Sequence, residues 1–145
     1  MDLIHGNCVA IEGQGVLILG PSGSGKSDLS LRLIDEGARL VGDDQVYMFE
    51  KDDALFAQAP EKLQGLMEAH GIGIFQNLDF IQEAPINLVV ELTPIADIER
   101  LPRRNVFTYG NTSVLRIKLN GFAPSTCAKI RAMLKGDLLP QDQLL

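Results

Sequence analysis

The chain has 145 residues, 46% hydrophobic and 22% charged, with no low-complexity tract, which fits one globular domain with a proper core and excludes a disordered or fibrous protein. A formal net charge of −6, with Arg103-Arg104 the only adjacent basic pair, argues against a broad nucleic-acid surface. No apolar run reaches membrane-spanning length, the N-terminus shows no signal-peptide pattern, and Cys8 and Cys127 have neither metal-ligand nor disulfide-framework spacing, so the expectation is a cytoplasmic protein with two reduced core thiols and no membrane partner.

Residues 8–11 and 16–19 are short apolar runs around Glu12-Gly13-Gln14-Gly15, which predicts two strands of a hairpin. Gly20-Pro21-Ser22-Gly23-Ser24-Gly25-Lys26-Ser27 then completes a GxxxxGK[ST] pattern. Leu29, Leu31, Leu33 and Ile34 alternate with Asp28, Arg32, Asp35 and Glu36 before Gly37, predicting a helix over 27–36 with a glycine stop. Strand, glycine-rich loop and helix N-terminus together form a concave nest of backbone N–H groups, and the helix dipole adds partial positive charge suited to a polyphosphate. In that setting Lys26 reaches the β- and γ-phosphates of a nucleotide and the Ser27 hydroxyl ligates Mg²⁺.

Residues 39–42 predict a short strand that runs into Asp43-Asp44. A neighbouring strand ending there brings carboxylates beside the metal and the γ-phosphate. On an extended backbone two adjacent aspartates project to opposite sides, so one faces an acceptor hydroxyl as general base while the other helps the metal or fixes the loop. Further along, 45–50 continues as extended chain to the turn Lys51-Asp52-Asp53, and 55–57, 71–75 and 86–92 are strand candidates, the last the most apolar in the chain. Asn111-Thr112 turns 106–109 back into 114–118, and a final helix is predicted over 124–135, with Pro124 at its start and Gly136 as its stop. No repeat or linker divides the chain, so one domain over 1–145 is expected, an α/β fold whose sheet mixes hairpins with parallel strands.

Four tracts together resemble a known family. The loop at 20–27, Arg39-Leu40-Val41-Gly42-Asp43-Asp44, the N-terminal Ile4-His5-Gly6, and the segment 65–75 around Glu68, His70 and Gly71 occur in the order and spacing of the HPr kinase/phosphorylase catalytic domain. The resemblance implies a P-loop domain like that of phosphoenolpyruvate carboxykinase, usually a hexamer. The implied activity is transfer of phosphate from ATP, with Mg²⁺, to a serine of the phosphocarrier HPr, reversed by phosphorolysis with release of pyrophosphate. It further implies phosphate contacts from the loop, Lys26 as the phosphate lysine, Asp43 as general base, Asp44 as its supporting carboxylate and a metal-side group, His5 near the phosphates, and Glu68 as a second acidic residue near the metal.

Departures from the family pattern are as specific as the matches. Pro21 replaces an acidic residue, His70 stands where an arginine is usual, and the segment 119–124, which corresponds to a basic loop, has no arginine. The sequence begins at the catalytic domain and ends soon after one short helix, as a short member would. These departures predict an enzyme that is predominantly a kinase, with residual phosphorolysis. A small-molecule kinase or plain NTPase, and a non-catalytic nucleotide sensor, remain as alternatives. The first lacks a lid with clustered arginines, and the second has no use for a base.

Overall fold

A computed structural model describes residues 1–143, and within them the chain forms eleven strands and two α-helices. In order these are β1 (Asp2–His5), β2 (Asn7–Ile11), β3 (Gln14–Leu19), α1 (Lys26–Asp35), β4 (Arg39–Gly42), β5 (Gln45–Lys51), β6 (Ala54–Gln58), β7 (Met67–Ala69), β8 (Gly73–Phe75), β9 (Glu83–Leu92), β10 (Asn105–Tyr109), β11 (Thr112–Leu119) and α2 (Thr126–Lys135). The main sheet runs β1-β5-β6-β9-β3-β2-β4, with the β10–β11 hairpin added along β9, while β7 and β8 form a separate two-stranded sheet.

Strand directions decide where the functional loops meet. β3 is parallel to β9 and β9 to β11, whereas β2 is antiparallel to both β3 and β4. β4, β3, β9 and β11 therefore deliver their C-terminal ends to one edge of the sheet. The glycine-rich loop leaves β3 in the middle of that edge. The aspartate pair leaves β4 on one side of it, and residues 120–124 leave β11 on the other.

Packing on both faces explains why β9 reads as a continuous apolar run. Val16 and Ile18 of β3, Val9 of β2, and Leu88, Val90 and Leu92 of β9 pack under Leu29 and Leu33 of α1 and Cys127 and Ile130 of α2. Leu17, Cys8, Ala10 and Val89 pack on the opposite face with Val46, Met48, Leu55 and Ala57. The register shifts between Gly15↔Ile86 and Val16↔Leu88, and this bulge moves Ile86 to the face opposite Leu88 although the two are two residues apart.

The predicted mixed α/β sheet is present, with local differences. Tight two-residue loops close the hairpins: Glu12-Gly13 at φ 51° and 82°, and Asp52-Asp53 at φ 53° and 62°, the left-handed geometry that matches strand twist. The late hairpin turns at Gly110-Asn111 rather than Asn111-Thr112, because Tyr109 pairs with Thr112. α2 begins at Thr126 rather than residue 124, and the strand expected over 71–75 is the short β8. β1 escaped sequence reading because its residues are mostly exposed and carry no alternation; main-chain pairing with β5 makes it a strand. Cys8 and Cys127 are buried free thiols, and burial pushes the Cys8 thiol up to about 12, as expected of an inert core group. Among the described residues no helix is long and apolar enough to cross a membrane.

Candidate active site

The strand β3 ends at Leu19 and the chain wraps through residues 20–25 into α1, whose N-cap Gly25 has φ 100°. That left-handed conformation suits glycine, and it turns the first helical N–H groups, which have no intrahelical partners, toward the loop's concave side. The Lys26 side chain is almost fully buried and folds back over the loop, its Nζ donating to the carbonyls of Gly20 at 2.7 Å and Pro21 at 3.1 Å. Ser24 Oγ lies buried against Gly20 without a hydrogen-bond partner. Of the eight loop residues, Ser22, Gly23, Gly25, Lys26 and Ser27 line the adjacent cavity, which has a volume of about 700 Å³. Gly20 and Pro21 serve the lysine from behind.

Asp43 is tied to the start of α1. Its Oδ1 accepts hydrogen bonds from Ser27 Oγ at 2.7 Å and Asn7 Nδ2 at 2.7 Å, and its Oδ2 accepts from the backbone N–H of Glu68 at 3.0 Å. Asp44 follows with φ 69°, so the pair is not carried on the extended backbone expected from sequence. The left-handed turn, tolerated by aspartate, sends the two carboxylates apart. Asp44 Oδ1 sits 2.7 Å from His5 Nε2, both side chains are more than half exposed, and both line the cavity. Asp43 is not among its lining residues.

Sequence reading missed Asn7, which organises this flank. It is completely buried at the start of β2. Its Nδ2 donates to Ser30 Oγ at 3.0 Å as well as to Asp43, and its Oδ1 accepts the Asp44 backbone N–H at 3.0 Å. Ser30 in turn donates to the Lys26 carbonyl at 2.8 Å. One amide thus couples the helix that follows the glycine-rich loop to both aspartates. The only sequence signal was a polar residue opening an otherwise apolar strand, directly after His5-Gly6.

Glu68 and His70 reach the same cavity from β7 and the turn after it, with Ala69 and Ile72. Glu68 lines the cavity, and its contact with Asp43 is made by its backbone. Among the described residues no three His, Cys, Asp or Glu side chains gather to hold a metal on their own. Ser27, Asp44 and Glu68 instead present separate oxygen donors around the cavity. That fits a hard cation such as Mg²⁺, which keeps waters and shares ligands with phosphate oxygens. Lys26 is the only permanent cation among the described lining residues.

On the opposite side, residues 120–122 press against the loop. A Cβ at Gly121 would lie 2.1 Å from the Ser24 carbonyl oxygen, so glycine allows this backbone-to-backbone approach. The Arg32 guanidinium of α1 donates to the Gly121 carbonyl, and Phe122 completes the cavity wall beside Gly25.

Residues 1–121 match the family described as HPr Serine kinase C-terminal domain. The HPr kinase/phosphorylase of Lactobacillus acidophilus is 41% identical over 108 residues and that of Lactiplantibacillus plantarum 40% over 108 residues, each alignment covering 68% of this chain and 34% of the relative. The chain therefore spans about a third of the length of the curated relatives it matches. Among solved structures, the Hpr(Ser) kinase/phosphatase from Coxiella burnetii matches with a TM-score of 0.82 at 25% identity, over 93% of this chain and 89% of that one. The chain belongs to the HPr serine kinase C-terminal domain family, and its fold is the phosphoenolpyruvate carboxykinase-like P-loop fold.

Proposed function

We propose that this member of the HPr serine kinase C-terminal domain family is an ATP-dependent protein-serine kinase whose acceptor is the phosphocarrier HPr. The observation that carries the reading is an exposed carboxylate, Asp44, facing the same cavity as Lys26 and Ser27 while its neighbour Asp43 is bonded to Ser27 behind it. Phosphoryl transfer asks for positioning and charge stabilisation more than covalent chemistry, and this cavity offers both. Amides of the loop and the first turn of α1 receive the phosphates. Lys26 exchanges a backbone carbonyl for a phosphate oxygen.

Sequence reading expected Asp43 to be the base and Asp44 its support. The hydrogen bonds favour the opposite division. Asp43 accepts from three donors and lies outside the cavity wall, so its role is to hold the Ser27 hydroxyl in orientation. Asp44 has a carboxylate oxygen open to the cavity, and His5 fixes the other. In the forward reaction Asp44 takes the proton of the acceptor serine as its oxygen bonds to the γ-phosphorus and ADP departs. Bound with ATP, Mg²⁺ would supply charge neutralisation at the phosphates, and Ser27 Oγ and Glu68 would be the protein oxygen donors at hand while Asp44 serves as the base. Phosphorolysis is the weaker direction in this reading, since it must hold additional free phosphate where Lys26 is the only permanent cation among the described lining residues. A cytoplasmic setting and the hexamer implied by the family belong to the same proposal.

The test is transfer from radiolabelled ATP to purified HPr, beside HPr whose acceptor serine is alanine. Label on the first substrate alone is expected; ATP hydrolysis without protein labelling would make the chain an NTPase, and binding without turnover a sensor. In the same assay Asp44→Asn loses about 10²–10⁴ in transfer, the range of a positioned base, with ATP affinity held within a few-fold. Asp43→Asn weakens Mg-ATP binding as well. The reverse pattern would return the base to Asp43.

A further inference from the structure

We propose that Phe122 is the platform on which the purine base of bound ATP stacks, an inference that rests on the nucleotide reading of the phosphate loop. The sheet edge fixes which way the nucleotide lies. Asp44 and Ser27 mark the γ-phosphate end, on the β4 side of the loop. The nucleoside then leaves toward the β11 side, four strand spacings or about 19 Å along the edge from β4. Phe122 is the aromatic side chain standing there. The residue is 60% exposed and lines the cavity, and its ring comes within 3.1 Å of where a Cβ on Gly25 would be.

An isolated exposed phenylalanine is ordinary; this one is held in place. The Phe122 N–H donates to Asn120 Oδ1 at 2.9 Å, and Asn120 Nδ2 donates to the Thr93 carbonyl at 3.2 Å. Thr126 Oγ1 donates to the Asn120 carbonyl at 2.5 Å. Arg32 clamps the intervening Gly121 carbonyl to α1. The backbone carrying the ring is thus pinned from Thr93 just after β9, from α1 and from α2, while Phe122 itself stays mostly exposed. A fixed, open π-face at the end of a phosphate cradle suits a heterocyclic base. The loop has no arginine to reach a phosphate, and the aromatic face it carries offers stacking area to a neutral heterocycle.

The experiment compares Mg-ATP with Mg-tripolyphosphate, which has the phosphates but no base, by calorimetry on the full chain. Phe122→Ala and Phe122→Leu are expected to weaken ATP binding about ten-fold, within the range of base–aromatic stacking, and to leave tripolyphosphate within two-fold. The chain has no tryptophan, so Phe122→Trp supplies a single reporter at the platform. That variant keeps ATP affinity, and its fluorescence is quenched by ATP but not by tripolyphosphate. Equal losses for both ligands, no loss for either, or a reporter indifferent to ATP would overturn the platform while leaving the phosphate site standing. Wild-type protein that binds neither ligand would overturn the nucleotide reading and the platform with it.

Discussion

The two flanks of the phosphate loop hold their functional groups by different means. On the aspartate flank the work is done by side chains: Ser30, Asn7, Asp43 and Ser27 form one hydrogen-bonded series, and His5 adds a second contact on Asp44. On the phenylalanine flank side chains tie down the main chain instead of one another, Arg32, Thr126 and Asn120 donating to the carbonyls of Gly121, Asn120 and Thr93, with Gly121 contributing no side chain at all. Holding the Ser27 hydroxyl in orientation and aiming the neighbouring Asp44 carboxylate asks for directional partners. A stacking surface needs only a fixed plane. The aspartate flank should therefore respond to loss of a single atom, and the phenylalanine flank to loss of bulk or of its anchor.

The largest effect is expected where the flanks meet. Lys26 is the group both halves of a bound nucleotide would share, and Lys26→Ala should abolish transfer and weaken Mg-ATP binding, because a charge-assisted contact disappears from an otherwise neutral nest. Calorimetry showing unchanged affinity would mean that the phosphates lie elsewhere and that the two flanks do not belong to one site.

Next in size is Asn7→Leu, which leaves the Asp43 carboxylate and the Asp44 N–H each short of a partner. Both groups are only partly buried, so each lost hydrogen bond costs about 1 kcal/mol, and the urea midpoint should fall. Single-turnover transfer should fall further than the loss of folded protein explains, with the effect on kcat rather than on KM for ATP. Asn7→Asp keeps an acceptor for the Asp44 N–H but sets a carboxylate against Asp43, and it should be the worse of the two for turnover. Wild-type kcat in folded Asn7→Leu would show that the aspartates hold their places without the amide.

The difference between the flanks also explains what sequence could reveal. The strand–loop–helix unit was legible because the loop's left-handed turns call for glycine at fixed spacing between an apolar strand and a periodic helix. The aspartate pair was legible as a pair, but not the left-handed turn at Asp44 on which the proposed division of labour rests, which two adjacent aspartates do not announce. Asn7 had no spacing to give it away, since its partners are 23, 36 and 37 residues distant. In β9 the bulge between Ile86 and Leu88 was hidden because both faces are apolar, so a change of face leaves no mark in the pattern. The platform loop read only as a stretch without arginine, because what makes Phe122 distinctive is the pinning of its backbone by residues far along the chain.

The smallest expected effect is also the most selective. Arg32 is partly exposed; it pairs with Asp28 at 3.1 Å and donates to the carbonyls of Gly121 and, at 3.5 Å, Ala123. Arg32→Met keeps the apolar stem along α1 and removes these contacts, loosening the phenylalanine flank without touching Asn7 or either aspartate. A partly exposed charged hydrogen bond contributes on the order of 1 kcal/mol, so ATP affinity should drop only about three- to five-fold. Tripolyphosphate affinity and kcat at saturating ATP should stay at wild-type values, because the phosphate nest and the base are on the other side of the anchor. A matching loss for tripolyphosphate would show that Arg32 holds the phosphate loop itself through Gly121, and that the two flanks are one mechanical unit rather than two.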